Sequence, residues 1–474
     1  MKLLPFQIKP WEHQTEGVTR ALAQRDFAFF FEQGTGKTAA TINTLRNLFA
    51  GYKRPLRTLI LSPVVVCENW RREFQEHSKI GHLAWVLKGP QKERIETFKT
   101  KSSTNPPHIF ITNFEALQMK ELVQLILKWR PEVLVVDESQ RCKSFKSVRA
   151  KTAAMIAKGT LHNYILSGTP ITNKELDIFQ QFLILDRGQT FGDNYYVFMH
   201  RYFYDKNAGM PQAKHFPDLR LREGMGEHLH KAIYKKAMRV TKKECLDLPD
   251  LVRVEVPVEL SKEQRRLYDE MKRDFIAYLE SGEAVTAQIA VTKALRLQQI
   301  VTGYAKTEQG DEVSFKENPR LTALADLLED IPETEKVIIW ASFRENYRQI
   351  AGLLDKMKIE HTALHGDVSG KERQKNIDAF QRDDKTRVII CNQAAGGVGV
   401  NLTRASVSIF YSRNFNWEQD NQAEARNHRG GSEVHAKITR YDLICRRTID
   451  EIIAEALKNK FDLASKIIEL RARL

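Results

Sequence analysis

Ten short apolar runs, five in each half of the chain, are separated by amphipathic stretches and constrain the fold more than any other feature. In the first half they are FAFFF (27–31), TLILS (58–62), HIFIT (108–112), EVLVVD (132–137) and YILSG (164–168). In the second half they are KVIIWAS (336–342), TALHG (362–366), RVIICN (387–392), VSIFYS (407–412) and ITRYDLI (438–444). Successive residues in each run are apolar, so a strand made from it must be buried on both faces. Parallel sheets covered by helices meet that demand. The chain, at 474 residues, is too long for one ordinary core. The reading is α/β, with two parallel sheets built from βα units and helical insertions between them.

Between 175 and 335 the pattern changes to mostly helical, with one strand expected at LVRVEVPVEL (251–260). Ser261 with Gln264, Ser342 with Glu345 and Ser369 with Glu372 have capping-box spacing and are expected to open helices. After Ser261, Leu267, Met271, Phe275 and Leu279 fall on one helical face. The expected division is a first lobe over 1–185, a helical insertion and crossing over 186–250, a linker with a helical insertion over 251–330, and a second lobe with a C-terminal helix over 331–474.

Hydrophobic residues make up 42% and charged residues 28%, a globular composition. The formal net charge of +14 favours a polyanionic partner, most simply nucleic acid. Cys67, Cys142, Cys245, Cys391 and Cys445 form no CxxC pair, so neither a zinc site nor a disulfide framework is expected. No run approaches the roughly 18 apolar residues of a membrane span, and the N-terminal apolar stretch is too short for a signal peptide. An intracellular protein without a membrane partner is expected.

Five motifs carry chemistry. EQGTGKT (32–38) sits between a strand and a helical run. A glycine-rich turn there points backbone N–H groups at phosphate, and the helix N-terminus adds to the attraction. Gly34, Thr35 and Gly36 form the cradle, Lys37 neutralises the β and γ phosphates, and the Thr38 hydroxyl holds Mg²⁺. The general pattern GxxxxGK[ST] is incomplete, because Phe31 stands at its first glycine. VVDES (135–139) ends a strand with Asp137, suited to Mg²⁺, and Glu138, suited to orienting and deprotonating water. LSGTP (166–170) brings Ser167 and Thr169 to another strand end. QAAGGVGVNL (393–402) places Gly397 and Gly399 where backbone can approach a ligand closely. In NQAEARNHRGGS (421–432), Arg426 and Arg429 are three apart and share a face if the segment is helical.

With these motifs in order, the chain resembles the superfamily-two nucleic-acid motors, and within them the Swi/Snf-type double-stranded DNA translocases in minimal form. Further segments carry the likeness. KPWEHQTEGV (9–18) is similar to the family's opening motif, whose glutamine contacts adenine; here that is Gln14. LILSPVVVCENWRREF (59–74) and ITNFEAL (111–117) resemble two segments that grip the DNA backbone, and LHGDVSGKERQKNIDAF (364–380) resembles the second lobe's DNA-facing motif. LRLQQIVTGY (295–304) resembles the helical element before the second lobe.

The resemblance implies two RecA-like lobes with ATP between them. Lobe one supplies Gln14, Gly34, Gly36, Lys37, Thr38, Asp137 and Glu138; lobe two supplies Gly397, Gly399 and the finger arginines Arg426 and Arg429. It implies sequence-independent contacts to duplex DNA phosphates around Ser62, Asn69, Thr112, Asn113, Ser342, His365 and Asn401. A monomer is expected, cytoplasmic in a prokaryotic or viral setting rather than nuclear. Some positions depart from the family pattern. Gln33-Gly34-Thr35 replaces Met-Gly-Leu, Ser139-Gln140 replaces Ala-His or Gly-His after the acidic pair, and Ala425 and Ser432 replace an Asp and a Gln in the last motif. Two other readings stand beside the translocase. One is a strand-separating or fork-remodelling helicase, with a β-hairpin wedge within 190–225. The other is a non-hydrolysing, ATP-gated clamp on DNA or protein.

Overall fold

The computed structural model describes residues 3–103, 109–171, 175–208, 218–245, 248–280, 287–306, 311–396 and 400–459. It divides into two units, Met1–Leu246 and Asp247–Leu474.

The first unit contains β1 (Asp26–Phe31), β2 (Thr58–Ser62), β3 (Ala84–Val86), β4 (Ile109–Asn113), β5 (Val133–Asp137), β6 (His162–Leu166), β7 (Phe203–Asp205), β8 (Leu219–Leu221) and β9 (Ala237–Val240). Seven of these form one sheet in the order β3-β4-β2-β5-β6-β1-β9, parallel throughout. Every residue of β1, β2, β4 and β5 is buried, as continuous apolar runs require. Phe27, Phe29 and Phe31 lie on one face and meet edge to face, with ring centroids 5.1 and 5.5 Å apart. β7 and β8 make a separate antiparallel pair.

The second unit contains β10 (Asp250–Val258), β11 (Tyr304–Lys306), β12 (Glu312–Ser314), β13 (Lys336–Ala341), β14 (His361–Leu364), β15 (Val388–Asn392), β16 (Ala405–Phe410) and β17 (Lys437–Cys445). Its main sheet runs β10-β17-β16-β13-β15-β14, again all parallel. β13 lies inside this sheet and is buried at every position. The ten expected strands are present, and the two parallel α/β units bear out the expected fold class.

Two strands of the main sheets lie outside the two expected lobes. Residues 237–240, within the segment read as a helical insertion and crossing, are an edge strand parallel to β1. Residues 251–258, within the segment read as a linker and where a strand was expected, pair with β17 in the second sheet. The division between the units falls at 246/247. The Ser369–Glu372 box forms, with Ser369 accepting from Glu372 N, and Ser261 and Gln264 cap one another in the same way. The Ser342–Glu345 box does not form. The helix begins at Arg344, and the Ser342 N–H and hydroxyl instead donate to Ser412 Oγ and Ser412 O at 2.9 and 3.4 Å. On the helix Lys262–Glu280, Leu267 and Met271 pack against the second core beside the fully buried Tyr268. The Phe275 and Leu279 side chains lie outside the described residues.

Candidate functional site

The first unit's chemistry gathers at the C-terminal ends of three neighbouring strands, β5, β6 and β1. That is where an open α/β sheet presents a crevice. After β1 the backbone turns through Gly34 and Gly36, both in the left-handed region at φ 88° and 78°, into the helix Lys37–Gly51. Only glycine takes such angles without strain. A Cβ on Gly36 would also fall 2.0 Å from Gln14 Nε2, so any side chain there would have to push the Gln14 amide aside. Gln14 is buried; it accepts from Trp11 N at 2.8 Å and donates to Gly36 O at 3.3 Å. His13 Nε2 donates to Thr35 O at 2.8 Å, and Thr35 Oγ1 donates to Glu32 O at 2.7 Å. The N-terminal helix Glu12–Leu22 thus holds the loop by two side chains. Lys37 Nζ donates to Phe31 O at 3.0 Å. Phe31, the departure from the general pattern, therefore serves the loop through its backbone carbonyl.

At the end of β5, Asp137 and Glu138 are both buried. Glu138 has a left-handed backbone, φ 53°, which for a residue with a side chain stores on the order of 1 kcal/mol or more. Burial, and then the neighbouring Glu138 charge, push the Asp137 carboxyl up to about 6. A hydrogen bond from Trp70 and the positive charge of Lys37 pull the other way. Gln140 Nε2 donates to Glu138 Oε2 at 2.6 Å, and Ser167 Oγ donates to Gln140 Oε1 at 2.8 Å. Ser167 Oγ also accepts from Thr169 N at 3.0 Å. The neutral Gln140 therefore joins the acidic motif to LSGTP, at the position where the sequence departs from the family pattern. The adjacent Ser139 donates to Gln181 Oε1 at 2.7 Å, and Gln181 Nε2 donates to Pro170 O at 2.6 Å. Gln181 carried no signal in the sequence; it lies in an apolar helix, Ile178–Asp186, outside every motif.

Two adjacent buried carboxyls, one pushed up by the charge of the other, form an electron-rich site that fits a divalent cation. Among the described residues no group of three or more His, Cys, Asp or Glu side chains could hold a metal. Thr38, on the first turn of its helix, and Asp137 would leave the remaining positions to water and phosphate oxygens, the coordination Mg²⁺ favours.

The polar residues assigned to DNA lie mostly at other strand ends. Ser62 ends β2, but it is fully buried with its hydroxyl 3.2 Å from Cys67 Sγ. Thr112 and Asn113 end β4 and are buried beneath Arg94, which bonds to both. Ser62 and Thr112, expected to touch phosphate, are thus both fully buried in this structure. Arg94, missed in the sequence, stands over that edge and is further held by Gly89 O at 2.7 Å. Asn69 donates to Glu73 Oε1 at 2.8 Å. In the second unit, Ser342 is engaged by Ser412. His365 stacks on Tyr347 with centroids 4.3 Å apart, and Asn401 is exposed.

The helix Trp417–Glu424 stops before the two arginines, so they do not share a helical face. They converge all the same: Arg426 Nη1 and Arg429 Nη1 donate to Val400 O at 3.1 and 3.4 Å. Gly397 and Gly399 lie outside the described residues. Arg440 holds this region, pairing with Asp420, Glu424 and Asp442 at 3.1, 2.9 and 2.9 Å.

Residues 18–304 match the SNF2-related domain, and residues 319–431 match the helicase conserved C-terminal domain. The chain is 28% identical over 467 residues to an uncharacterized ATP-dependent helicase of Mycoplasma genitalium, covering 96% of this chain and 42% of that protein. It is 26% identical over 448 residues to the chromodomain-helicase-DNA-binding protein 1-like of Danio rerio, covering 92% and 41%. It spans about two fifths of the length of these relatives. The solved structure titled Sulfolobus solfataricus SWI2/SNF2 ATPase core in complex with dsDNA aligns over 100% of this chain and 97% of that one, at 22% identity and a TM-score of 0.45.

Proposed function

The chain belongs to the SNF2-related family, and from that premise we propose that it hydrolyses ATP to drive movement along double-stranded DNA, holding the phosphate backbone rather than reading bases. The observation that carries this reading is the gathering of Lys37, Asp137, Glu138 and Ser167 on the ends of three adjacent strands. Lys37 turns from Phe31 O to the β and γ phosphates when nucleotide enters the loop. Glu138 orients a water and takes its proton as the water oxygen bonds to the γ phosphorus and the bond to the bridging oxygen breaks. Thr38 and Asp137 would hold Mg²⁺, which supplies charge neutralisation at the phosphates. The family resemblance assigns Arg426 and Arg429 to the γ-phosphate.

The DNA half of the proposal is supported by the net charge of +14 and by the DNA-binding relatives. Contacts to phosphates carry no sequence information, which suits a motor that must step over any sequence. Asn69, Asn113 with Arg94, His365 and Asn401 are the candidates. The test compares ATPase rates without nucleic acid and with single-stranded DNA, duplex DNA, forked DNA and RNA. Duplex stimulation that disappears in Lys37→Ala supports the proposal; stimulation by RNA alone contradicts it.

A second reading, strand separation, has one observation in its favour. The antiparallel pair β7–β8 lies within 190–225, the region where that reading would place a wedge. An unwinding assay beside a triplex-displacement assay distinguishes the two; displacement without unwinding supports the translocase.

A further inference from the structure

Outside the nucleotide site, the first unit carries a groove between the helices Val148–Lys158, Ile178–Asp186 and Tyr195–Tyr202. The groove encloses about 470 Å³. Its wall presents Lys151, Met155 and Lys158, and Val148 stands on the same helical face one turn earlier. Val148 is 60% exposed and Met155 45% exposed; across the groove Tyr196 is 56% exposed and the adjoining Val197 63%. Single exposed apolar residues are ordinary, but Met155 and Tyr196 in the groove, with Val148 and Val197 on the same two helices, form a patch of the kind that marks an interface.

The lining carries more positive than negative charge. Lys151 and Lys158 line the groove and have no ion-pair partner among the described residues. Lys143 is paired with Asp177 at 3.3 Å, and Asp193 is the acid that lines the groove. Lysines at helical spacing around an apolar stripe complement an amphipathic segment with acidic flanks. A stacked single strand fits less well. The Tyr195 ring is already covered by Phe145, with centroids 3.9 Å apart and planes at 15°. Lys146 Nζ stands 5.8 Å from the Phe145 ring centroid. The exposed groups that remain are mostly aliphatic, whereas base stacking needs open aromatic faces.

We propose that this groove is a docking site for an acidic amphipathic helix of a partner protein. The proposal is independent of the nucleotide chemistry, because none of these residues belongs to it.

The test is fluorescence anisotropy on the full chain with three labelled probes. The first is a synthetic helix of about five turns, with leucine on one face and glutamate on the flanks. The second carries lysine in place of glutamate, and the third is oligothymidylate. The acidic helix should bind in a salt-sensitive way while its lysine counterpart does not. The double variant Lys151→Glu with Lys158→Glu should weaken binding by at least about tenfold, and Met155→Asp, which addresses the apolar half, should do likewise. Lys88→Glu, on another surface, should leave it unchanged. Unaltered thermal melting shows that each variant is folded. Failure of the acidic helix to bind, equal binding by folded groove variants, or oligothymidylate being the probe that the charge reversal expels would overturn the proposal.

Discussion

Trp70 donates its indole N–H to Asp137 Oδ2 across 2.9 Å. Trp70 is fully buried on the helix Val64–His77, so the segment after β2 fixes the carboxylate that ends β5. This bond favours the ionised carboxylate against burial and the charge of Glu138, which together push it up to about 6. Trp70→Phe keeps an aromatic ring and removes the donor. If ionised Asp137 sets the acid limb of kcat/KM for ATP, that limb should then move upward by a few tenths to one pH unit. A pH–rate profile of both proteins checks this.

Asp137 also sets a stability window. Its folded value lies above its ordinary value of 3.8, so ionising it costs stability. The cost is absent below about 3.8, grows as pH rises through the interval to about 6, and is fully present above that. A cation at the carboxylate offsets it. The thermal stabilisation by Mg²⁺ with a non-hydrolysable ATP analogue should therefore be larger above this window than below it. Asp137→Asn should flatten that dependence. Equal shifts at both ends of the window would remove Asp137 from the cation site.

Lys37→Ala and Glu138→Gln should each lower turnover by about 10²–10⁴ or more. The two should differ in binding. Lys37→Ala loses nucleotide affinity, while Glu138→Gln retains it, because the glutamine still carries an oxygen that can accept from Gln140. Calorimetry with the ATP analogue separates them.

Gly36→Ala should weaken nucleotide binding, because the added methyl occupies a left-handed backbone and displaces the Gln14 amide. The backbone part costs about 1–2 kcal/mol. Gln14 is itself assigned to adenine, so the contact is read from thermal melting without nucleotide. Adding Gln14→Ala removes the clash, so the double variant should lose less stability than the two single losses summed, and additive losses would contradict the contact.

Gln140→Ala cuts the relay from Glu138 to Ser167 without touching the phosphate loop. It should lower kcat by about tenfold while leaving the KM for ATP near its wild-type value, the pattern of an interaction realised in turnover. Steady-state kinetics with duplex DNA present is the measurement.

The periodicity of the chain made the two sheets legible, since continuous apolar runs such as 27–31 and 336–341 have few other uses. It hid β9, whose four residues are bounded by Lys236 and Thr241 and carry Arg239 in their midst. Its burial comes from β1, a partner two hundred residues away. The same limit governed the site. Lys37, Asp137 and Glu138 were readable because each ends or follows a strand within a spaced motif. Gln181 and Arg94 were not, because their roles arise from side-chain neighbours outside any motif. Gln140 was readable only as a departure; its place between Glu138 and Ser167 depends on β5 and β6 lying side by side. Ser62 and Thr112 were readable only as polar strand ends; their burial comes from neighbours outside the strands, Cys67 beside Ser62 and Arg94 over Thr112.

The most direct test of the central claim is triplex displacement by the full chain on duplex DNA, with ATP and Mg²⁺, run beside the ATPase. The account predicts ATP-dependent displacement of the third strand, duplex-stimulated hydrolysis, and loss of both in Glu138→Gln. ATP hydrolysis indifferent to duplex DNA, with no strand displaced, would contradict it.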